Sequence, residues 1–354
     1  MSAFQAITVT TLETERLLLR PWQMDDVDDF YAYASVDGVG QMAGWLPHKS
    51  KEESRERLLH WMEEANEFAL MHKEDRRVIG SLGIHPSWLS EREQPEYSGK
   101  HIIDIGYTLS KAYWGQGLMP EAVQRVLAYL FAECNVDIVT VSHYDFNLQS
   151  RRVIEKCGFS LLECVPHTAK KTGISCQLLR YILYREAWKK QQLQKLEMRR
   201  IRGEETDAAL ALAWEVFSQF EAPVYGAKGT ETFRRDIIDN AEFRASVKSG
   251  ACPVWAAFDG EMPVCVIGMR QSRTHINLVF TKQEYQRRGL ASALLTQVLS
   301  ELKAENPTLR TVTLNSSPYG FPFYLAFGFV PTDTEQCVDG IRYTPMRWTY
   351  AENR

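Results

Sequence analysis

Tyr113-Trp114-Gly115-Gln116-Gly117-Leu118 and Tyr285-Gln286-Arg287-Arg288-Gly289-Leu290 share a tyrosine, a glycine and a leucine at one spacing, 172 positions apart. Each is followed by a helical pattern. Leu118, Ala122, Val126 and Leu130 form one stripe beside Met119, Val123, Leu127 and Phe131, the i, i+4 spacing of a helix packed on a sheet. After the second copy Leu290, Leu294 and Val298 run beside Ala291, Leu295, Leu299 and Leu302. β-like runs precede the two turns at 102–109 and 276–280, and further runs follow at 138–141 and 311–314. Each half then closes on a short helix and a Gly-Phe pair, Gly158-Phe159 and Gly328-Phe329, 170 positions apart. Recurrence of the whole order predicts duplication of one fold unit.

The chain length of 354 residues leaves room for two such units, each with its own core. Residues 177–184 read as the last strand of the first, and 185–197 as a polar helical run. The expected domains are 1–188 and 198–354, joined by a helical connector at 189–197. Alternating β and helical runs, with a hairpin signal at Asp259-Gly260-Glu261, predict an α/β (α+β) class with mixed, mostly antiparallel sheets flanked by helices.

Composition excludes several functions. The 41 Lys and Arg against 45 Asp and Glu give a net charge of -4, which offers no global basic field for nucleic acid or an acidic membrane surface; either partner would need a local patch. Seven scattered cysteines without a CxxC pair predict buried small hydrophobes in a reducing compartment rather than a disulfide framework or metal site. No apolar run is long enough to span a membrane and the start is no secretory leader, so the expected location is cytoplasmic.

A strand that ends in a glycine turn and opens a helix leaves the first helical N–H groups free, and with the helix dipole these favour a phosphate. Gly117 and Gly289 let backbone approach pyrophosphate closely, Arg287 and Arg288 add charge, and Pro120 suits a first helical turn. The alternative is a plain structural turn. No G-x-x-x-x-G-K-[ST] occurs, and Gly115-x-Gly117-x-x-Pro120 lacks the third glycine of a dinucleotide fingerprint, which argues against ATP and NAD.

Gln286-Arg287-Arg288-Gly289-Leu290-Ala291 resembles the acyl-CoA pyrophosphate motif of the GNAT N-acetyltransferase superfamily, and Phe323-Tyr324-Leu325-Ala326-Phe327-Gly328-Phe329 a later element of it. The first half is similar to the RimJ/RimL-type acetyltransferases, which include ribosomal-protein N-terminal acetylators. The residues that carry this are Thr14-Glu15-Arg16-Leu17-Leu18-Leu19-Arg20-Pro21-Trp22, Asp104-Ile105-Gly106-Tyr107, the stretch from Tyr113 to Ala122, Asn147-x-x-Ser150, and Glu155-Lys156-Cys157-Gly158-Phe159. The resemblance implies two GNAT folds in tandem. Each would bind acetyl-CoA in the splay of two central strands and pass the acetyl group to an amine by direct attack in a ternary complex.

Cofactor contacts implied by the resemblance are Leu109, Trp114, Gly115, Gln116, Gly117, Leu118 and Met119 in the first half, with Asn147. In the second they are Phe280, Thr281, Gln286, Arg287, Arg288, Gly289, Leu290 and Ala291. Trp114 stands in the Gln/Arg slot of the motif and Met119 in its Gly/Ala slot. Tyr324 falls where the family carries a general-acid tyrosine; the first half has Ile154 there, so Asn147 and Ser150 become its candidates. Asp104 and His275, on the strands before the turns, are candidate bases. Plainer roles compete with each: aromatic packing for Tyr324, helix capping for Asn147 and Ser150, and ordinary strand positions for Asp104 and His275. Asp25, Asp26, Asp28 and Asp29 read as helix-start acids rather than a substrate magnet. The expected acceptor is a small-molecule amine or a protein N-terminus, with the chain a monomer of pseudo-dimeric domains or a homodimer. The alternative is one catalytic domain beside a non-catalytic module that senses acyl-CoA or binds a partner.

Overall fold

The two halves divide between Trp188 and Lys189. The computed structural model describes residues 7–91 and 95–351, so the outer ends of the expected domains, 1–6 and 352–354, lie outside the described residues. In the first half β1 (Leu12–Glu13) and β2 (Leu17–Pro21) lead into α1 (Val27–Ala34) and α2 (Lys51–Glu64). β3 (Glu67–His72), β4 (Arg77–Pro86) and β5 (Ile102–Leu109) follow, then α3 (Leu118–Ala128), β6 (Ile138–Tyr144) and α4 (Leu148–Lys156). β7 (Ser160–Thr168), β8 (Ser175–Tyr184) and α5 (Arg185–Leu193) complete the series. The sheet order is β1-β2-β3-β4-β5-β6-β8-β7, with β5–β6 as its parallel pair.

The second half repeats this plan. β9 (Glu197–Arg200) is followed by α6 (Thr206–Phe220), α7 (Ala222–Phe233, interrupted at Gly226) and α8 (Ala241–Lys248). β10 (Val254–Asp259), β11 (Met262–Met269) and β12 (His275–Thr281) precede α9 (Leu290–Glu305) and β13 (Thr311–Ser316). α10 (Phe321–Phe327), β14 (Val330–Pro331), β15 (Gln336–Val338) and β16 (Ile341–Thr349) finish it. The order is β14-β16-β13-β12-β11-β10-β9, with β15 on β16 and β12–β13 as the parallel pair. Both sheets are therefore mixed and mostly antiparallel, flanked by helices.

Apolar stripes explain why the helices dock. Every residue of the two α3 stripes is buried, but Leu130 and Phe131 sit in a π-helical turn, Tyr129–Glu133, that ends the helix. In α9 Leu290, Leu294, Leu295, Val298, Leu299 and Leu302 are buried while Ala291 is half-buried. At about 1.5–3 kcal/mol per buried side chain, such stripes fix both helices to their sheets. On the opposite faces lie α1 and α2 with Trp22, Phe30 and Leu58, and α6 with Leu210, Ala213 and Phe217.

One opening is built into each sheet. Parallel pairing runs only to Ile105↔Val141 in the first half and Ile276↔Leu314 in the second. Past those residues β5 and β12 continue toward their glycine turns without their parallel neighbour, so their backbone groups on that side face a cleft.

Local details refine the sequence reading. Helix α5 ends at Leu193 and Glu197 already begins β9; Trp188 belongs to the first core, and Leu193 and Leu196 pack on the second. Asp26 accepts both arms of Arg20 (2.8 Å each), Asp28 pairs with Lys51 (2.8 Å) and Asp29 holds Arg77 and the Val78 N–H (2.9 Å each). The Arg20–Asp26 brace recurs as Arg199–Glu205 (2.7 and 2.8 Å). All seven cysteines are free, yet Cys164 and Cys337 are exposed, so burial accounts for only some of them. No helix among the described residues is long and apolar enough to cross a membrane.

Candidate active site

Each glycine turn is built by the same bonds. Tyr113 and Tyr285 donate their hydroxyls to Asp75 and Asp259, both at 2.6 Å, anchoring the turn to the preceding hairpin. Trp114 Nε1–H donates to the Leu109 carbonyl (2.8 Å), and Gln286 Nε2–H to the Thr281 carbonyl (3.0 Å). Indole and carboxamide thus do one job, which explains Trp114 in the Gln/Arg slot. Gly115 and Arg287 occupy equivalent left-handed positions (φ 78° and 58°). Gly117 and Gly289 follow as left-handed N-caps (φ 78° and 80°), and no side chain caps α3 or α9. Their first N–H groups therefore point into the clefts with the positive end of the helix dipole, a setting for pyrophosphate.

The first cleft, of about 240 Å³, is lined by Leu109, Trp114, Gly115, Gly117, Leu118 and Met119, and also by Asn147 and Ser150. Arg152 and Lys156 on α4 line it too and supply cations that the sequence reading did not single out. Gln116 sits in the turn, its carbonyl bonded by Arg16 (2.9 Å), which also pairs with Glu121 (2.6 Å). The second cleft, of about 420 Å³, is lined by Phe280, Thr281, Gln286, Arg287, Gly289, Leu290 and Ala291, with Tyr324. Arg288 is not among its lining residues; its guanidinium lies 5.3 Å from the Tyr285 ring.

Tyr324 is buried between Phe323 and Phe329, and that burial holds its phenol protonated far above the ordinary range. It can lend a proton inside the cleft. In the first half buried Ile154 fills the equivalent position, but Ser150 Oγ shares a hydrogen bond with Tyr107 (2.9 Å), whose hydroxyl burial likewise keeps protonated. Tyr107 lines the cleft, so this half also has a phenol, relayed through a serine. Asn147 is the N-cap of α4: its Oδ1 accepts the Ser150 N–H and its Nδ2–H donates to the Met42 carbonyl, both at 3.0 Å. Its carboxamide orients Ser150 and ties Met42 to the cleft wall.

Candidate bases differ more. Burial pushes the Asp104 carboxyl up to about 6, against the opposing Thr140 hydroxyl, which donates to it at 2.6 Å. Asp104 pairs across the sheet with His85, which faces Glu67 at 3.4 Å. Burial also raises Glu67; for His85 burial works downward but the carboxylates outweigh it, and the imidazole is raised. Gly83 opposes Gly106, and the Glu67 and His85 side chains lie over Gly83 in the space a β-carbon would take, between Asp104 and the pair Ser81 and Thr108 at the cleft. His275 opens β12, shares a hydrogen bond with Thr313 (2.9 Å) and is pushed down to about 4 by burial, so it is neutral near pH 7.

Glu221, which sequence reasoning missed, sits at the junction of α6 and α7 and lines the second cleft. Ser317 Oγ–H donates to it (3.0 Å), and burial pushes its carboxyl up to about 7. A base of that strength is better matched to neutral pH than His275. No motif marks it, because a single acid at a helix junction has no spacing signature.

Comparison with known proteins agrees with this duplication. Residues 16–160 and residues 221–350 each match a model of the acetyltransferase (GNAT) domain. An uncharacterized N-acetyltransferase of Bacillus licheniformis, p20, is 29% identical over 154 residues, 42% of this chain and 82% of its own. The FsC-acetyl coenzyme A-N(2)-transacetylase of Aspergillus fumigatus is 29% identical over 112 residues, 31% of this chain and 47% of its own. A GNAT-family acetyltransferase crystal structure from Bacillus anthracis covers 49% of this chain and 98% of its own, at 21% identity and a TM-score of 0.44.

Proposed function

The chain belongs to the GNAT acetyltransferases, one domain in each half, and on that premise we propose that each half binds acetyl-CoA and acetylates a primary amine in a ternary complex. The observation that carries this is the pair of uncapped helix N-termini behind left-handed Gly117 and Gly289, each beside a splayed strand pair. Acetyl coenzyme A is also the donor named in the Aspergillus relative. The residues fit it: free N–H groups and nearby cations suit a pyrophosphate, and unpaired backbone on β5 and β12 suits an amide-bearing arm.

When bound, acetyl-CoA supplies an electrophilic thioester carbonyl. The N–H groups after Gly117 and Gly289 would hold its phosphates, and Leu109, Phe280 and Thr281 its arm. Tyr324 holds a proton at its hydroxyl for the leaving sulfur in the second half; Ser150, backed by Tyr107, does so in the first. Asp104, with His85 and Glu67 beside it, would take the amine proton in the first half. The first half accepts a peptide or protein N-terminus or a small amine, and the second a small amine. Calorimetric titration with acetyl-CoA tests the scheme: two sites per chain are expected, and a single site would make one half a non-catalytic module.

A further inference from the structure

Beyond the second cleft lies another cavity, of about 380 Å³, that shares Glu221, Val279, Phe280, Ser317 and Tyr324 with it. That volume is near the small end of the roughly 300–1,000 Å³ of small-molecule pockets, which favours a small acceptor over a protein. Helix α7 and the β15–β16 hairpin wall it. Thr232 Oγ1–H donates to the Asp339 carbonyl (2.8 Å), and a β-carbon on either Gly229 or Gly340 would strike the other's backbone. Glu221 marks the end nearest the cleft. Arg270 lies at the other end of β12, where its N–H donates to the His275 carbonyl (2.9 Å).

Most charges along the cavity are already matched. Asp236 accepts both arms of Arg235 (2.7 and 3.0 Å), Asp339 faces Lys228 (3.4 Å), and His275 is neutral. Glu221 and the exposed Arg270 are left, and no ion pair ties Arg270 among the described residues. Between them stands Asn277, at a bulge where the register passes from Leu278↔Gly268 to Ile276↔Met269. Its Oδ1 is buried without a hydrogen-bond donor among the described residues.

We propose, on the reading of this half as an amine acetyltransferase, that its acceptor is a small primary amine carrying a carboxylate several bonds away, with the amine at Glu221 and the carboxylate at Arg270. From Val279 to His275 the strand rises roughly 13 Å, too far for an α-amino acid to bridge. At the inner end the ammonium N–H bond breaks, its electron pair stays on nitrogen as the nucleophilic lone pair, and an O–H bond forms on Glu221. The groups facing that carboxylate are Tyr225 from α7, Ser317, and Tyr324 from α10, with Asp236, Asp339, His275 and Arg270 farther along the cavity. Burial keeps both tyrosines protonated, so Glu221 accepts the proton.

The test is calorimetric binding of 6-aminohexanoate, hexylamine and glycine to the full chain without acetyl donor. Binding of 6-aminohexanoate is expected to be about tenfold or more tighter than of the other two, the scale of a charged hydrogen bond. Arg270→Gln should erase that preference and leave hexylamine unchanged, and Arg270→Lys should restore part of it. Near pH 7 part of the Glu221 population carries a proton before the cation binds, and that fraction is released on binding; Glu221→Gln should weaken both amines and abolish this release, read by comparing buffers of different ionisation enthalpy. Equal affinities, or a preference that survives Arg270→Gln, overturn the proposal. Acetyl-CoA titrated into the same proteins separates the two readings: a chain that binds none loses the acetyltransfer scheme itself, whereas one that binds it with no carboxylate preference loses only this acceptor.

Discussion

Asn147 and Ser317 hold the same place in the two halves, 170 positions apart like the Gly-Phe pairs that follow them. Each accepts the N–H three residues on, from Ser150 and Gly320 at 3.0 and 3.1 Å; Asn147 thereby caps α4, whereas Ser317 braces the turn that leads into α10. Their donors part company. Asn147 reaches the Met42 carbonyl, whereas Ser317 reaches the Glu221 carboxyl. The duplicated unit has kept the tyrosine–aspartate and side-chain–carbonyl bonds of its glycine turn and changed what lines the rest of the cleft. One half has a carboxyl beside a buried tyrosine; the other has its carboxyls gathered around His85 and a serine-relayed phenol.

The sharpest test of that equivalence is the loop. Gly117→Glu and Gly289→Glu each place a negative, strained residue at a left-handed position beside the proposed phosphate sites. Each should abolish one of two acetyl-CoA sites in a calorimetric titration; loss of both from one substitution would break the picture of independent copies. Next in size is the acid. Tyr324→Phe should slow the second half by about 10²–10⁴-fold at saturating substrate, with acetyl-CoA affinity unchanged. Ser150→Ala should slow the first half by about tenfold, less because its phenol remains; full activity in either variant removes that residue from proton transfer.

A smaller effect separates the bases. A carboxylate must be ionised to accept a proton, so first-half turnover should rise with pH through about 6, following Asp104 with His85 and Glu67 beside it. Asp104→Asn should flatten that rise, and an unaltered profile would pass the role to His85. Trp114→Gln should change least. The carboxamide can donate to the Leu109 carbonyl as Gln286 does to Thr281, so acetyl-CoA affinity should stay within about threefold by calorimetry.

The fold was legible where local periodicity meets backbone necessity. The stripes of α3 and α9 and the glycines at φ near 80° are local signals, and both occur twice. The π turn at Tyr129–Glu133 was not, since its stripe residues keep helical spacing. Of the clefts, the glycine turns and the place of Tyr324 in the wall could be read from motifs. Glu221, Tyr107 and His85 could not, because each acquires its partner through tertiary packing or strand pairing: Ser317, Ser150 and Glu67. Asn147 shows the opposite limit, since capping and site-building turn out to be one set of bonds.

The contact between Gly229 and Gly340 sets a tolerance on what the second half can become. Two backbones that close admit no intermediate side chain, so that corner of the cavity cannot be widened by degrees. Variation is channelled instead into residues that line a box of fixed dimensions, such as Tyr225, Thr232 and Tyr343. New acceptors would be gained by changing polarity and reach within the box, and the walls would stay as they are.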